Sequence, residues 1–239
     1  MSELIPPLND EGKFKRSGPV YYHELEQGTD EWLATRKGVL TASNMKLVIT
    51  PTLKAAKNDK ARAIIHQLVA DNVTDFIEPN YSTFAMMRGH EEEIEACCLY
   101  SEKYAEIKEC GFITNDKWGF TLGYSPDGLV GDDGLVEVKS RMSKHQAKTI
   151  ISNEVPDEYM MQLQTGLLVS QRKWIDFISY SGGMPMFVKR VLPDPEIQTA
   201  IIEATSIAYE QVNDMLKQYN ENSKDLHPTE FKQNEEIEL

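Results

Sequence analysis

Apolar positions in the first 105 residues recur every three to four places, as they do in helices that bury one face. Thr29 or Asp30 can cap the first such helix. Gly38 can end it, because glycine readily adopts the left-handed conformation that follows many helices. Trp32 and Leu33 are expected to face the core. The pattern predicts four helices, over residues 27–38, 40–50, 58–73 and 82–105.

The fourth predicted helix is the longest in this half of the chain. Ser82 can cap it, and Gly89 weakens its middle because glycine is a poor helix former. We expect one apolar side of this helix to pack on the core. That side consists of Met87, Ile94, Cys98 and Leu99.

After residue 105 the period shortens, and β-branched and aromatic residues stand between turn residues. Five strands are predicted, over residues 106–114, 118–125, 134–140, 173–181 and 184–192. Helical pattern returns at residues 143–151, 156–170 and 194–219. This order predicts a mixed α/β domain with a central sheet flanked by helices.

The two ends of the chain differ in composition from its centre. Residues 1–22 include a Pro-, Gly- and charge-rich stretch, and we expect them to form a loosely held arm. Residues 220–239 hold six acids and two lysines, which predicts a disordered tail. Residues 23–219 are long enough for one large domain with its own core.

Composition and cysteine usage narrow the class of protein. The chain is 41% hydrophobic and 26% charged, which is ordinary for a folded globular protein. It has no apolar run that could span a bilayer and no apolar segment typical of a secretory signal, so we expect a cytoplasmic protein with no membrane partner. Three cysteines without CxxC spacing argue against a disulfide framework or a zinc site. At least one of Cys97 and Cys98 should pack as a small hydrophobe.

The net charge of −13 argues against a protein that coats DNA passively, because such binding comes from neutralising phosphates. Residues 33–58 and 138–153 depart from this average, since each contains basic residues and no acid. They predict local patches for an anion, although two solvated helix faces would explain the same charges. The basic residues are Arg36, Lys37, Lys46, Lys54, Lys57, Lys139, Arg141, Lys144 and Lys148.

Two strand-like stretches joined by a Gly- and Asp-rich turn make up GYSPDGLVGDDGLVEVKS, residues 123–140. In the second stretch Glu137 and Lys139 are two positions apart, so they share a face of the predicted strand. Asp127 closes the preceding strand on the loop that leads back to Glu137. The three side chains can therefore converge.

Two converging carboxylates repel each other unless a cation lies between them, and their oxygens favour a hard cation such as Mg²⁺. A lysine beside that cation can orient or deprotonate a water for attack on phosphate. The alternative is an ordinary hairpin with an exposed charged face, because Glu-x-Lys is a common pattern. The Ser-Pro-Asp-Gly turn at residues 125–128 favours the site, and phosphodiester hydrolysis is the chemistry that needs this set.

Four segments of the chain resemble, in the same order, the phage lambda exonuclease and YqaJ-like viral recombinase family. Within them Pro126-Asp127 followed by Glu137-Val138-Lys139 resembles the PD-(D/E)xK nuclease motif. The resemblance covers about residues 23–190 and implies a restriction-endonuclease-like core. The four segments are QGTDEWLATRKGVLTAS, RGHEEEIEA, SPDGLVGDDGLVEVK and YMMQLQ.

The resemblance implies a magnesium-dependent exonuclease that digests duplex DNA from the 5′ end and leaves 3′ single-stranded tails for recombination. Asp127, Glu137 and the carbonyl of Val138 would bind two Mg²⁺ ions, with Mn²⁺ as a substitute. Lys139 would position or activate the water, and Glu93 is similar to the family's helix-borne acid beside the metals. The acids next to Glu93, which a solvated helix face would also explain, are Glu91, Glu92 and Glu95.

The same resemblance implies a pocket for the terminal 5′-phosphate. Arg36 offers a bidentate fork for phosphate, and Ser43 lies in the first turn of a predicted short helix, where N–H groups favour anions. Each alone would be interpreted as a surface arginine or a capping serine. The other residues expected to contact DNA are Ser125, Gln162, Gln164 and Arg141.

Members of the family form ring-shaped homotrimers on duplex DNA ends and work with a single-strand annealing protein, so we expect both here, in a phage or prophage context. Two alternatives stay open. One is another PD-(D/E)xK nuclease, either an endonuclease or a RecB-like enzyme. The other is a non-catalytic module that binds DNA ends, against which the intact Asp127, Glu137 and Lys139 argue.

Overall fold

The computed structural model describes residues 18–74 and 84–230, with side chains in the second range from residue 88 onward. The helices are α1 (Asp30–Arg36), α2 (Met45–Val48), α3 (Asp59–Val73), α4 (Phe84–Lys103), α5 (Ser143–Ser152), α6 (Asp157–Ser170) and α7 (Pro195–Asn222), with a 3-10 turn at Ala42–Asn44. The strands are β1 (Pro19–Tyr22), β2 (Leu40–Thr41), β3 (Phe112–Asn115), β4 (Leu122–Tyr124), β5 (Gly128–Val130), β6 (Gly134–Ser140), β7 (Trp174–Tyr180) and β8 (Phe187–Val191). The predicted mixed α/β architecture is confirmed. In the part of the chain that the structure describes, no helix is long and apolar enough to cross a membrane.

The described strands form two four-stranded sheets where the sequence predicted one. The first sheet has the order β1-β3-β4-β2 and the second β5-β6-β7-β8. Only β2–β4 and β6–β7 are parallel among these described pairs. The chain crosses from one sheet to the other between Tyr124 and Gly128. Pro126 lies in this crossing and has no N–H to extend the ladder of β4, so the strand ends and Asp127 lies at the junction of the sheets.

The first strand lies within residues 1–22, the predicted N-terminal arm. Pro19–Tyr22 pairs antiparallel with Phe112–Asn115, so the folded domain begins before residue 23. The Tyr21 hydroxyl also donates to the Ser170 carbonyl oxygen at 2.6 Å. At the other end, α7 continues to Asn222, three residues beyond the predicted end of its helix. Residues 223–230 of the predicted tail follow α7 without helix or strand, whereas residues 1–17, 75–83 and 231–239 and the side chain of Met87 lie outside the described part, and Ser82 with them.

Local capping sets the start of α1 as predicted, but the next segment differs. The Thr29 hydroxyl accepts the Trp32 N–H at 3.3 Å, and Gly38 follows the helix at a φ of 69°. The helix predicted over residues 40–50 is instead a short strand, a 3-10 turn and the four-residue α2. Leu40 and Thr41 pair with β4, and this tertiary pairing outweighs the helical pattern of the sequence.

Helix α4 turns a different side to the protein from the one that its apolar pattern predicts. Ile94 is 53% exposed and Cys98 is also exposed, whereas Ala96 and Tyr100 are buried. Glu93 lies on the buried side, one turn before Ala96. The prediction failed because this side carries polar groups with partners on the sheet, and a hydrophobic pattern does not register such groups.

Helix α6 packs directly on β4, and the closest approach is at Gly166. A Cβ at this position would lie 2.8 Å from Cζ of Tyr124, so only glycine fits without a shift. The Tyr124 side chain is fully buried, and its hydroxyl reaches Glu137 on β6. A glycine on a helix thus lets a tyrosine of the first sheet contact the second.

Candidate active site

Strand β6 presents its side chains alternately to two cores. Leu135 lies in the larger core, which also contains side chains of α6 and α7. Val136 and Val138 lie in the smaller core beside Ala96 of α4. The alternation predicted for this strand is confirmed, and it places Glu137 and Lys139 on the same face.

Glu137 is the centre of a hydrogen-bonded cluster, although it is only 1% exposed. Its Oε1 accepts from Lys139 Nζ at 2.6 Å and from Gln162 Nε2. Its Oε2 accepts from the Tyr124 hydroxyl at 2.8 Å. Because β6, α6 and β4 each supply a donor, the buried carboxylate is held in one orientation.

Asp127 is fixed against the same strand. Its Oδ2 accepts the Val138 N–H at 2.6 Å. β5 pairs with β6 only as far as Gly128 and Val136, so the carboxylate takes the place of a backbone partner where β5 begins. The N–H and C=O of one strand residue point to the same side, so the Val138 carbonyl also faces Asp127.

Glu93 lies on α4 and interacts with this cluster, whereas the neighbouring acids have other partners or are exposed. Glu92 accepts from the Ser140 hydroxyl, and Glu95 accepts from the Tyr180 hydroxyl at 2.9 Å. Glu91 is exposed. Glu93 instead interacts electrostatically with the charges of Lys139 and Glu137. Its neighbours thus have other partners or are exposed, and Glu93 stays the candidate site residue of this run.

The pKa values of this cluster reflect burial and several negative charges that lie close together. Burial raises the pKa of Asp127 well above its usual range, and the charges of Glu137 and Glu93 add to the effect. Burial also raises the pKa of Glu93, against the opposing influence of His90 and Lys139. Burial lowers the pKa of Lys139, but the charges of Glu137 and Asp127 outweigh it, so the net shift is upward.

The donor set suits a hard divalent cation. Buried carboxylates that also repel each other are stabilised when a cation lies between them, and carboxylate and carbonyl oxygens are the ligands that Mg²⁺ prefers. The protein's own donors occupy both oxygens of Glu137, and within residues 18–74 and 84–230 no group of three or more His, Cys, Asp or Glu side chains forms a ready-made metal site. Glu137 Oε2 accepts only the Tyr124 hydroxyl among the described donors, so its second lone pair could bind a cation.

A second cluster lies at the other end of the loop that carries Asp127. Arg36 Nη1 donates to the Ser125 hydroxyl oxygen at 2.6 Å. Trp32 Nε1 donates to the same oxygen at 3.2 Å and to the Gly111 carbonyl oxygen at 3.0 Å. The Arg36 guanidinium carbon lies 4.1 Å from the centre of the Trp32 ring. Ser125 is two residues before Asp127, so the two clusters adjoin.

Arg36 is a desolvated cation, and burial lowers its pKa to about 10. Among the described residues no carboxylate forms an ion pair with it. A buried charge without a counter-ion is unfavourable, and a guanidinium binds phosphate oxygens bidentately. This environment is suited to an anionic ligand.

Ser43 lies at the same edge of the first sheet as Ser125. Thr41 and Gly123 are partners in the parallel β2–β4 pair, and Ser43 and Ser125 each follow two residues later. Ser43 is exposed in the 3-10 turn, where its hydroxyl lies 3.2 Å from that of Thr41. In the described part of the chain no hydrogen bond joins Ser43 to Arg36.

Comparison with protein families shows to which family the chain belongs. The model of the YqaJ-like viral recombinase domain matches residues 31–173, which include both clusters. The chain belongs to this family. A search of curated proteins found no match.

Solved structures agree with membership of the YqaJ-like family. An alkaline exonuclease (LHK-Exo) from Laribacter hongkongensis is 29% identical with a TM-score of 0.72, over 83% of this chain and 100% of that one. Its complex with dAMP is 30% identical with a TM-score of 0.69, over 81% and 100%. A phage-related exonuclease from Haemophilus somnus 129PT is 14% identical with a TM-score of 0.54, over 76% and 96%, and shows the shared fold.

The two glutamines of α6 have different surroundings in this YqaJ-like domain. Gln162 donates to Glu137 and so belongs to the site. Gln164 does not: its Nε2 donates to the Leu192 carbonyl at 2.8 Å and its Oε1 accepts the Asp194 N–H at 2.8 Å. Gln164 is 1% exposed and connects α6 to the start of α7. Both ends of its amide bind the protein's own backbone, and its contact with DNA stays a prediction.

The Arg141 side chain is only 7% exposed, and its contact with DNA stays a prediction. Its guanidinium lies 5.1 Å from the centre of the Tyr159 ring. Its Nη1 is 3.2 Å from Glu158 Oε1, close enough for an ion pair but not aligned for a hydrogen bond. Lys139 Nζ lies 5.7 Å from the same ring, so Tyr159 is flanked by both cations.

The sequence missed several residues of the site. Trp32 was expected in the core but is a partner of Arg36 and Ser125. Tyr124 and Gln27 carried no motif, yet Tyr124 donates to Glu137 and Gln27 Nε2 donates to the Pro126 carbonyl at 2.9 Å. The one signal in the sequence was Trp32, which lies one helical turn before Arg36, the predicted phosphate-binding arginine.

Proposed function

We propose that this chain is a divalent-metal-dependent exonuclease that degrades one strand of duplex DNA from its 5′ end and leaves 3′ single-stranded tails for recombination. The observation that carries the proposal is the loop at residues 125–127, which connects a half-buried guanidinium, with no carboxylate partner among the described residues, to the interacting carboxylates Asp127, Glu137 and Glu93. Membership of the YqaJ-like family and the similarity to alkaline exonucleases support it.

Each residue of the carboxylate cluster has a role in this proposal. Asp127, Glu137, the Val138 carbonyl and Glu93 would hold the metal, with Mg²⁺ as the preferred ion, two ions as the expected number and Mn²⁺ as a substitute. A bound divalent cation supplies charge stabilisation on the phosphate and a water that ionises near neutral pH. Lys139 has an ammonium that can donate to the attacking water.

The second cluster, which contains Arg36, Trp32 and Ser125 and is called the phosphate cluster below, explains the proposed direction of digestion. Arg36 and Ser125 are fixed at the start of the loop, and Asp127 lies two residues later. A terminal 5′-phosphate held by the first two side chains would place the adjacent phosphodiester bond beside the carboxylates. Ser43 lies at the same sheet edge and would complete the pocket. The predicted 3′ tails follow from removal of the 5′-ended strand.

Digestion of a linear duplex that carries a label on either the 5′ or the 3′ end of one strand tests the proposal. With Mg²⁺ we expect early release of the 5′ label as mononucleotide and late loss of the 3′ label. EDTA should stop both, and Mn²⁺ should restore digestion. Early release of the 3′ label would contradict the polarity, and undiminished digestion in EDTA would contradict the metal requirement.

A covalently closed plasmid is the control for an endonuclease with the same core. An exonuclease leaves this substrate intact because it has no end, whereas an endonuclease nicks it. We further propose a homotrimer that acts with a single-strand annealing protein. Light scattering at several concentrations should give three times the mass of the chain, and a monomer at all of them would contradict the trimer.

A further inference from the structure

We infer that Trp32 is a positioning residue for recognition of the terminal phosphate, because its indole N–H sets the direction in which the Ser125 hydroxyl donates its proton. The inference rests on the proposed function, since it assigns a role within the proposed phosphate pocket. Trp32 would not itself touch the phosphate. It would act through Ser125 and Arg36.

The Ser125 oxygen has two hydrogen-bond donors facing it. Arg36 Nη1 lies 2.6 Å away and Trp32 Nε1 lies 3.2 Å away. Guanidinium and indole nitrogens can donate but cannot accept, so the direction of both hydrogen bonds follows from chemistry alone. A serine hydroxyl has two acceptor positions and one proton to donate. Both acceptor positions are therefore filled.

The remaining capacity of Ser125 is its own O–H. Among the described residues, none accepts a hydrogen bond from this hydroxyl. Ser125 is partly exposed, so a ligand can reach it. A hydroxyl that can only donate, next to a half-buried guanidinium, is complementary to phosphate oxygens, which only accept. A terminal phosphate monoester also carries more charge than an internal diester, so it gains more from this pair.

Trp32 is well suited to hold this arrangement because its ring is fixed at three points. The indole N–H is shared with the Gly111 carbonyl oxygen at 3.0 Å, which ties the ring to the segment before β3. The Arg36 guanidinium lies over the ring at 4.1 Å. The Trp32 backbone N–H is bound to the Thr29 cap of α1. One side chain therefore orients both proposed phosphate ligands.

Binding of DNA ends in EDTA tests the inference without hydrolysis. The full chain is titrated with a fluorescent hairpin duplex whose single open end carries either a 5′-phosphate or a 5′-hydroxyl. The measured quantity is the preference, meaning the ratio of the two dissociation constants. Trp32→Phe keeps an aromatic ring for Arg36 but removes the N–H. We expect it to lower the preference about fivefold to tenfold, as the loss of one oriented hydrogen bond to an anion would do.

A double-mutant cycle separates the proposed route from a general loss of structure. Ser125→Ala removes the hydroxyl, so Trp32→Phe should cause little further loss of preference in that background. Trp118→Phe is the matched control, because Trp118 stacks on Phe120, and among the described residues the ring contacts of Arg36 and the hydrogen bonds of Ser125 are made with other partners. Thermal melting of each variant checks folding. If Trp32→Phe fails to fold, β-(3-benzothienyl)alanine at position 32 replaces the N–H with sulfur in a ring of nearly the same shape.

The outcomes divide clearly. The inference is supported if Trp32→Phe lowers the preference in the wild-type background but not in the Ser125→Ala background. An unchanged preference, or an equal loss with and without the Ser125 hydroxyl, overturns it. Digestion of linear duplex by the wild-type chain in Mg²⁺ is measured separately. If the wild type digests from the 5′ end but Trp32→Phe keeps its full preference, the inference fails while the proposed function stands.

Discussion

Replacing Gly166 with alanine should disturb the candidate metal site although Gly166 is not part of it. The added Cβ would start 2.8 Å from Cζ of Tyr124 and 3.0 and 3.1 Å from Cε1 and Cε2. Packed carbon atoms lie about 3.5–4.0 Å apart, so the ring must retreat by roughly 0.7 Å or more. These atoms adjoin the hydroxyl that donates to Glu137, and the retreat moves that hydroxyl directly.

The expected loss of stability combines three contributions. Overpacking of a filled core costs about 1–3 kcal/mol. The Tyr124–Glu137 hydrogen bond, now 2.8 Å long, would stretch toward about 3.5 Å, and losing a bond to a carboxylate costs about 1.5–3 kcal/mol. Alanine in place of a helical glycine offsets about 1 kcal/mol. We therefore expect Gly166→Ala to lower the free energy of unfolding by about 1.5–5 kcal/mol.

Urea denaturation followed by circular dichroism measures this loss, and calorimetric titration with Mg²⁺ or Mn²⁺ measures the effect on the site. Metal affinity should fall, because Glu137 loses one of the donors that orient it. Gly89→Ala is a matched control in helix α4, since a Cβ there has open space around it. It should raise stability by about 0.5–1 kcal/mol. Wild-type stability and wild-type metal affinity in Gly166→Ala would refute the reasoning.

Three further predictions concern Lys139, Arg36 and Asp176. Lys139→Ala should abolish digestion of linear duplex while leaving end binding in EDTA, and near-normal turnover would contradict its role. Arg36→Ala should slow digestion of 5′-phosphorylated ends far more than of 5′-hydroxyl ends, and equal slowing would remove it from the pocket. Asp176→Ala should destabilise the fold by about 2–4 kcal/mol in urea, because Asp176 accepts from Tyr100 at 2.7 Å and twice from Arg190 at 2.9 Å. The rate of digestion per folded molecule should be unchanged, and a wild-type urea midpoint would contradict the structural role.

Elements with a strong local signal were predicted well from the sequence. The α3 and α7 helices have period-3.6 patterns with Asn58 and Asp194 as caps, and both are found close to the predicted positions. Strand β6 lies at its predicted position after a Gly- and Asp-rich turn, although its hairpin partner β5 was not among the five predicted strands. In these segments short-range preference and long-range packing favour the same conformation, so a window of a few residues is sufficient.

Other features depended on partners that are distant in the sequence. Leu40 pairs with Leu122 in β2–β4, and this pairing replaces a predicted helix. The side of α4 that is buried depends on Tyr100 and Glu93, whose partners lie on β7 and β6. Periodicity measures only hydrophobicity along one element. It cannot register a polar group whose partner is another strand.

The candidate site shows the same division between local motif and long-range contact. Asp127, Glu137 and Lys139 could be grouped from spacing and family resemblance, because all three lie in one hairpin. The motif did not reveal that Tyr124 and Gln162 hold Glu137, that Gln164 serves the backbone, or that Trp32 adjoins the phosphate cluster. Those assignments depend on the direction in which each side chain points after two sheets and a helix have packed together. That direction is a property of the packed core and not of any short segment of the chain.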